Sequence, residues 1–278
     1  MSEILKIIFG RFLADEGIYP AAGIPSVGYL ILMGTTFLGI YTALNHTLQW
    51  SYERIRKLVK RMILILWGLE IFKIGFRFYY GYQSQLNTWV PLYFCSITLF
   101  AGLLSVFGHG MARHIGDVFI CVGGLIGGIC FLLYPSSSLL LFPADHFLSI
   151  HSFLYHGCMT YLGILFNRSG LVKLEWKDMK YYAWYIGFFC VLALYLNIRT
   201  GSNLMFISHS FNGTLLDIVA KILGRLYTPA LILIQMTVPF QVVMWFKHNT
   251  SLLTRPVWYD GIEQNTTDNN GHISKKSF

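Results

Sequence analysis

The sequence predicts an all-α fold, a polytopic membrane helix bundle of about seven spans, and three observations carry that prediction. The chain of 278 residues is 55% hydrophobic and only 12% charged, whereas an average soluble domain is about a quarter charged. Aromatic residues make up 17%, a proportion that suits a chain with two membrane interfaces to mark. Apolar stretches of roughly 20 residues, the length that spans a bilayer, recur along the chain.

The elements follow in order. "ILKIIFGRFL" is short and runs into "ADEG", which would interrupt the apolar core of a signal peptide, so it reads as a short interfacial helix. Span one is expected at Ser26–Leu44, span two at Met62–Tyr80, span three at Trp89–Phe107 and span four at Val118–Tyr134. The next stretch, "YPSSSLLLFPAD" (Tyr134–Asp145), holds two prolines and cannot form one continuous helix. It is expected to be a broken or re-entrant segment. Span five runs from His146 to Phe166 and span six from Tyr181 to Ile198. Between Arg199 and Arg225, the apolar residues Leu215, Leu216, Ile218, Val219, Ile222 and Leu223 keep helical spacing, which predicts an amphipathic interfacial helix. Span seven is expected at Leu226–Phe246. Residues 1–259 thus form a single membrane domain. Residues 260–278 are polar and Asn-rich, and are expected to be disordered.

The net charge of +8 could suggest nucleic acid, but the basic residues lie in short runs between apolar segments. Arg54, Arg56, Lys57, Lys60 and Arg61 share a side with Arg168, Lys173, Lys177 and Lys180 and with the tail. The positive-inside rule then sets the chain in the cell membrane with its N-terminus outside and its C-terminus in the cytoplasm. Arg199, Lys221 and Arg225 fall on the other side and dissent. The five cysteines are Cys95, Cys121, Cys130, Cys158 and Cys190. They form no CxxC pair, which argues against structural zinc and thioredoxin-like chemistry.

Ionisable residues at membrane depth are costly and suggest function by default. Glu70, Lys73 and Arg77 share one face of span two, in the order that favours a helical ion pair. In "FPADHFLSIHSFLYHG" three histidines recur every five residues. At about 100° per residue their neighbours point about 140° apart, so one helix cannot aim them at one metal. Asp145 is expected to cap span five beside His146. His151 stays undecided. His156 lies deepest, next to the small residues Gly157 and Cys158, which would let another helix approach.

Three segments carry a resemblance. "WVPLYFCSITLFAGLLSVFG", "GGLIGGICFLLYP…FPADHFLSIHSFLYHG" and "GSNLMFISHSFNGTLLDIV" resemble, in order and spacing over about Trp89–Leu223, segments of the YwaF-like bacterial integral membrane proteins. That family is related to an animal transmembrane phospholipid acyltransferase. The resemblance implies a membrane cysteine nucleophile at Cys95, a catalytic histidine at His156, and Asn203, His209 and Asp217 lining the site. Tyr93 stands where the family often has histidine, and with His151 it joins the candidate substrate-binding residues. "HSFN" replaces the family's "HKPP". The expected activity is lipid acyl transfer through an acyl-thioester. Its partners are membrane lipids, a fatty acyl donor and a lyso-lipid acceptor, and it needs no metal or other cofactor. The alternatives are a transporter or polar-ligand binder, histidines from different helices holding haem or metal, and a structural membrane component.

Overall fold

The computed structural model describes residues 10–210, 215–250 and 253. Most of the predicted N-terminal interfacial helix and the whole tail from residue 260 lie outside them. Among the described residues all regular structure is helical. Helix α1 spans Val27–Thr47, and its N-cap Ser26 accepts a hydrogen bond from the Tyr29 amide at 3.1 Å. Helix α2 spans Tyr52–Tyr79 and a short helix α3 spans Leu86–Trp89. Helix α4 covers Thr98–Phe107, and α5 runs over Gly110–Leu133 with one π turn at Ile120–Gly124. A short α6 (Ser136–Leu139) precedes α7 (Phe147–Arg168). Helices α8 (Met179–Thr200), α9 (Leu215–Leu223) and α10 (Tyr227–Asn249) complete the order.

Four helical stretches are long and apolar enough to cross a membrane: Val27–Thr47, Gly110–Leu133, Trp176–Thr200 and Leu216–Asn249. Thus the chain is a multi-pass membrane protein. Helix α4 is a shorter apolar helix. Helices α2 and α7 match the others in length but carry Glu70, Lys73 and the imidazoles.

Three expectations need correction. The third predicted span is not one helix. Pro91 disfavours helical geometry at Val90 and has no N–H to give, so α3 stops at Trp89 and helix resumes only at Thr98. The first basic loop is instead the start of α2, because Glu53–Arg61 holds good helix formers and neither Gly nor Pro. At about 42 Å, α2 exceeds the roughly 30 Å hydrocarbon core, so its charged first turns can stand beyond it. Finally, Asp145 is not the cap of α7. It pairs with Arg11 at 2.8 Å, and His146 caps α7 by accepting the Leu148 amide on Nδ1 at 3.1 Å.

Helix α5 sits at the centre: 78% of its apolar window is buried, against 17% for α1 and 22% for Leu216–Asn249. Helices α4, α7, α8 and α10 pack around it, while α1 lies against α7. The α5–α7 seam is tight because Gly163 lies on Leu125. A Cβ at Gly163 would fall 2.6 Å from the Leu125 Cβ and 2.8 Å from its Cα. Asn167 of α7 donates to the Cys121 carbonyl inside the π turn at 3.0 Å.

At one end, here the upper end, the N-terminal segment ties into the broken connection. Ala22 N–H donates to Phe142 O at 3.0 Å and Gly23 N–H to Leu139 O at 2.8 Å. His146 Nε2 meets Ala14 O at 2.9 Å, and Arg77 reaches Glu16 at 3.5 Å. At the opposite, basic end, the Arg56 fork holds Asp117 at 2.9 and 2.6 Å, and His114 meets Asp178 at 2.8 Å.

Gly163→Ala is expected to lower the apparent Tm in detergent by roughly 3–10 °C, the effect of about 1–3 kcal/mol of overpacking. Gly68→Ala serves as the control, because a Cβ there meets nothing within 4 Å and should leave Tm unchanged or raise it. His146→Ala removes both a cap and a buried bond and is expected to cost about 1–3 kcal/mol. Denaturant titration in mixed micelles, compared with His209→Ala, checks it.

Candidate functional site

Because Pro91 breaks the helix, residues Val90–Ile97 cross the bundle's upper part as turns, and Cys95 sits in that turn rather than on a helix. Its backbone is anchored from three directions. Tyr155 Oη of α7 donates to Cys95 O at 3.2 Å, Tyr185 Oη of α8 to Ile97 O at 2.7 Å, and Trp67 Nε1 of α2 to Leu99 O at 3.1 Å. The Cys95 thiol faces α5, 3.7 Å from Gly127 O. Glycine leaves room for that approach: a Cβ on residue 127 would lie 3.2 Å from both Cys95 Sγ and Phe94 Cδ1, a tight contact that those side chains would have to ease by a few tenths of an ångström.

His156 is buried one turn along the same face of α5. Its ring stacks on Phe131 with centroids 3.7 Å apart and planes 10° apart. Nδ1 lies 2.7 Å from Ser152 O. Only a protonated Nδ1 can make that bond, which leaves Nε2 with the free lone pair. Thiol and imidazole therefore rest on Gly127 and Phe131, one helical turn apart on α5, and no hydrogen bond joins them directly. The small residue beside His156 does admit a neighbour, since a Cβ on Gly157 would meet Thr36 Cγ2 of α1 at 2.7 Å.

His151 faces α2. It is 5% exposed, its Nε2 has no hydrogen-bond partner, and its ring lies nearly parallel to Tyr155 at 6.0 Å. Glu70, 2% exposed, has Lys73 Nζ 2.6 Å from its Oε1, although the angle is not that of a hydrogen bond. Arg77 leaves this pair and turns to Glu16. The buried Glu70, His151 and Tyr155 and the half-buried Lys73 thus form a polar cluster between α2 and α7, which touches the Cys95 backbone through the Tyr155 hydroxyl.

The remaining sequence candidates gather in a cap at the upper end. Tyr93 Oη donates to Asn87 O at 3.0 Å, and its ring lies 4.9 Å from Phe206. The Asn203 amide donates to Asn87 Oδ1 at 2.9 Å. The Asn203 side chain organises the loop after α8. Its Oδ1 accepts the amides of Ser208 and His209 at 3.1 and 3.3 Å, and its Nδ2 donates to His209 O at 2.8 Å. Met205 and Phe206 have φ of 56° and 59° in this loop, a left-handed conformation that costs L-residues about 1–2 kcal/mol each. Bonds from Asn197 to Leu204, Gln235 to Met205, Tyr227 to Phe206 and Thr228 to Ile207 hold it. His209 is exposed. Asp217, on α9, pairs with Lys221 at 2.8 Å and accepts from Ser210 at 3.4 Å, so it joins the cap one residue beyond His209.

Tyr93, Asn203, His209 and Asp217 are therefore brought together, His151 joins the α2 cluster, and Cys95 lies between the two groups. Sequence reasoning missed Tyr155, Asn87 and Asn197. Pro91 was the available signal for the turn. Among the described residues no three His, Cys, Asp or Glu side chains converge as a metal-ligand set.

No curated protein and no solved structure matches the chain. One family model does, over residues 22–247, which takes in every helix from α1 nearly to the end of α10. The chain belongs to the TMEM164 family.

Proposed function

We propose that this protein is an intramembrane lipid acyltransferase, with Cys95 as nucleophile and His156 as general base and acid. The observation that carries the reading is the placement of the Cys95 thiol and the His156 ring one turn apart on α5, at Gly127 and Phe131. The Ser152 carbonyl holds the ring with Nε2 unprotonated, the form a base needs. Catalytic hydrogen bonds are commonly long in the free enzyme and close in the substrate complex.

The chemistry runs in two displacements. His156 Nε2 takes the Cys95 proton, and the thiolate adds to the acyl carbonyl carbon. The tetrahedral intermediate collapses with cleavage of the donor's ester bond, and the leaving oxygen takes the proton from His156. In the second step a lyso-lipid hydroxyl gives its proton to His156 and attacks the thioester. The acyl group leaves on the acceptor, and Cys95 is reprotonated. Among the described residues the amides of Phe94, Cys95 and Ser96 make no backbone hydrogen bond. They precede the N-terminus of α4, a suitable position for oxyanion donors. In this reading α2, α4 and α7 also cross, which makes seven passages, and the upper end faces the cell exterior with the C-terminus inside.

Incubation with a phospholipid acyl donor is expected to give an intact-mass adduct of one acyl chain, absent in Cys95→Ala. His156→Gln should slow adduct formation by roughly 10²–10⁴-fold. Full acyl transfer by both Cys95→Ala and Cys95→Ser would sink the proposal.

The buried Glu70–Lys73 pair beside His151 supports a second reading, a polar-solute pathway between α2 and α7. That reading requires labelled-solute flux in proteoliposomes to fall at least tenfold in Glu70→Gln. Flux equal to that of empty liposomes removes it.

A further inference from the structure

We propose that a cleft at the basic end of the bundle, between α2, α4 and α5, binds the phosphate-bearing headgroup of an anionic membrane lipid. The site is at the opposite end from Cys95 and stands whether or not Cys95 carries an acyl group. Its volume is about 340 Å³, and it is lined by Tyr52, Glu53, Arg56, Lys57, Val59, Lys60, Ser105, Val106 and Arg113. Small-molecule sites start at about this size.

The charges come from helical spacing. Glu53, Arg56, Lys57 and Lys60 recur at i, i+3, i+4 and i+7, one face of α2. That face meets the end of α4 and the start of α5. Arg56 forms the floor, and its charge is already engaged. Its fork grips Asp117, which is 4% exposed, and Nη1 also reaches Ser105 Oγ at 3.3 Å. The three remaining cations are available. Lys57, Lys60 and Arg113 enter no ion pair among the described residues. Arg113 donates Nε to Gly108 O at 3.1 Å, which steadies the fork, and among the described residues its terminal nitrogens make no hydrogen bond or ion pair. Lys60 Nζ lies 5.2 Å over the Phe107 ring. Glu53 is the one carboxylate in the lining, against four cations.

Two features separate this from a solvated charge run. A fixed arginine–aspartate floor makes it a built cleft, whereas the positive-inside rule requires only cations on one side. Apolar surface adjoins the cations: Val106 lines the cleft, and Phe107, the next residue, and Leu64, one turn along α2 from Lys60, are about half exposed, at 50% and 49%. A lipid can place its phosphate among the cations and its chains along Leu64 and Phe107, and a soluble anion gains nothing there. Basic clefts between membrane helices bind anionic headgroups in this manner.

The test titrates the purified full chain in neutral detergent with phosphatidylglycerol, phosphatidylcholine or glycerol phosphate, counting bound molecules by native mass spectrometry. Phosphatidylglycerol should bind best. The triple variant Lys57→Gln, Lys60→Gln, Arg113→Gln should lose about 100-fold in affinity, taking each cation at about 1 kcal/mol and each decade at about 1.4 kcal/mol. The control triple Lys173→Gln, Lys177→Gln, Lys180→Gln removes the same charge from the same end and should stay within about threefold. Equal loss in both triples, or no loss in the first, overturns the proposal. So does glycerol phosphate binding as tightly as the lipid, which would make the ligand a soluble anion. If the cleft triple is less thermostable, the single variants decide, with about a fivefold loss expected for each of the three.

Discussion

The structure depends on satisfying a stretch of non-helical backbone inside a helix bundle. In lipid an unpaired carbonyl or amide costs several kcal/mol, so irregular backbone survives only where protein covers it. The chain opens such a stretch at Pro91 and closes it at Thr98. Tyr155 and Tyr185, from two different helices, supply donors to Cys95 and Ile97 within it, and Trp67 from a third donates to Leu99 in the first turn of α4 that follows. Each donor also fixes the register of its helix. Tyr155 anchors Cys95 and is adjacent in sequence to His156, so the contact that holds the thiol's backbone also sets the height of the imidazole. The cap above uses the same logic. Asn203 and Asn197 satisfy a loop with two left-handed residues, and Asn87 links that loop to the segment just before Pro91.

Much of this was legible in the sequence. The spans at α1, α5, α8 and α10, the helix at α7, the interruption between α5 and α7, and the amphipathic α9 follow from apolar length, two prolines and helical spacing. The separation of the three histidines follows from helical angles alone, and each has its own neighbours: Ala14 for His146, α2 for His151, Phe131 for His156. The break at Pro91 escaped because hydropathy over Trp89–Phe107 counts side chains and ignores the backbone donor that proline lacks. Asp145 looked like the cap because Asp is a strong capping residue, but Arg11, far away in sequence, claims its carboxylate. Contacts such as Tyr155 to Cys95, sixty residues apart, leave no local pattern.

The charges divide the molecule into two ends with different tasks. At the upper end, Arg11–Asp145 and Arg77–Glu16 fasten the N-terminal segment across the broken connection. These pairs join distant segments and serve as ties. At the basic end, Arg56–Asp117 and His114–Asp178 use both acids to brace the start of α5 against α2 and the segment before α8. With those acids engaged, Lys57, Lys60 and Arg113 keep their charge for an external partner. The excess of cations at that end is thus partly a consequence of packing.

The buried pair Glu70–Lys73 needs a different explanation. Replacing a buried ion pair with well-packed apolar groups is often neutral or stabilising, so its presence is weak support for a stability role. Glu70 Oε1 and His151 Nε2 also argue against a closed network, since Lys73 meets Oε1 outside hydrogen-bond geometry and Nε2 makes no hydrogen bond. Around His156 the surfaces are of the other kind, with Phe131 stacked on the ring and Phe153 edge-on to Phe131. Cys95 lies between this apolar wall and the polar α2–α7 cluster. An amphiphile needs both surfaces at once, polar groups for its head and aromatic ones for its chain. The proposed acyl transfer needs them at the thiol, because the bond that breaks sits where a lipid's head joins its chain. A solute pathway would need the polar cluster but not the stacked aromatic wall on the far side of Cys95.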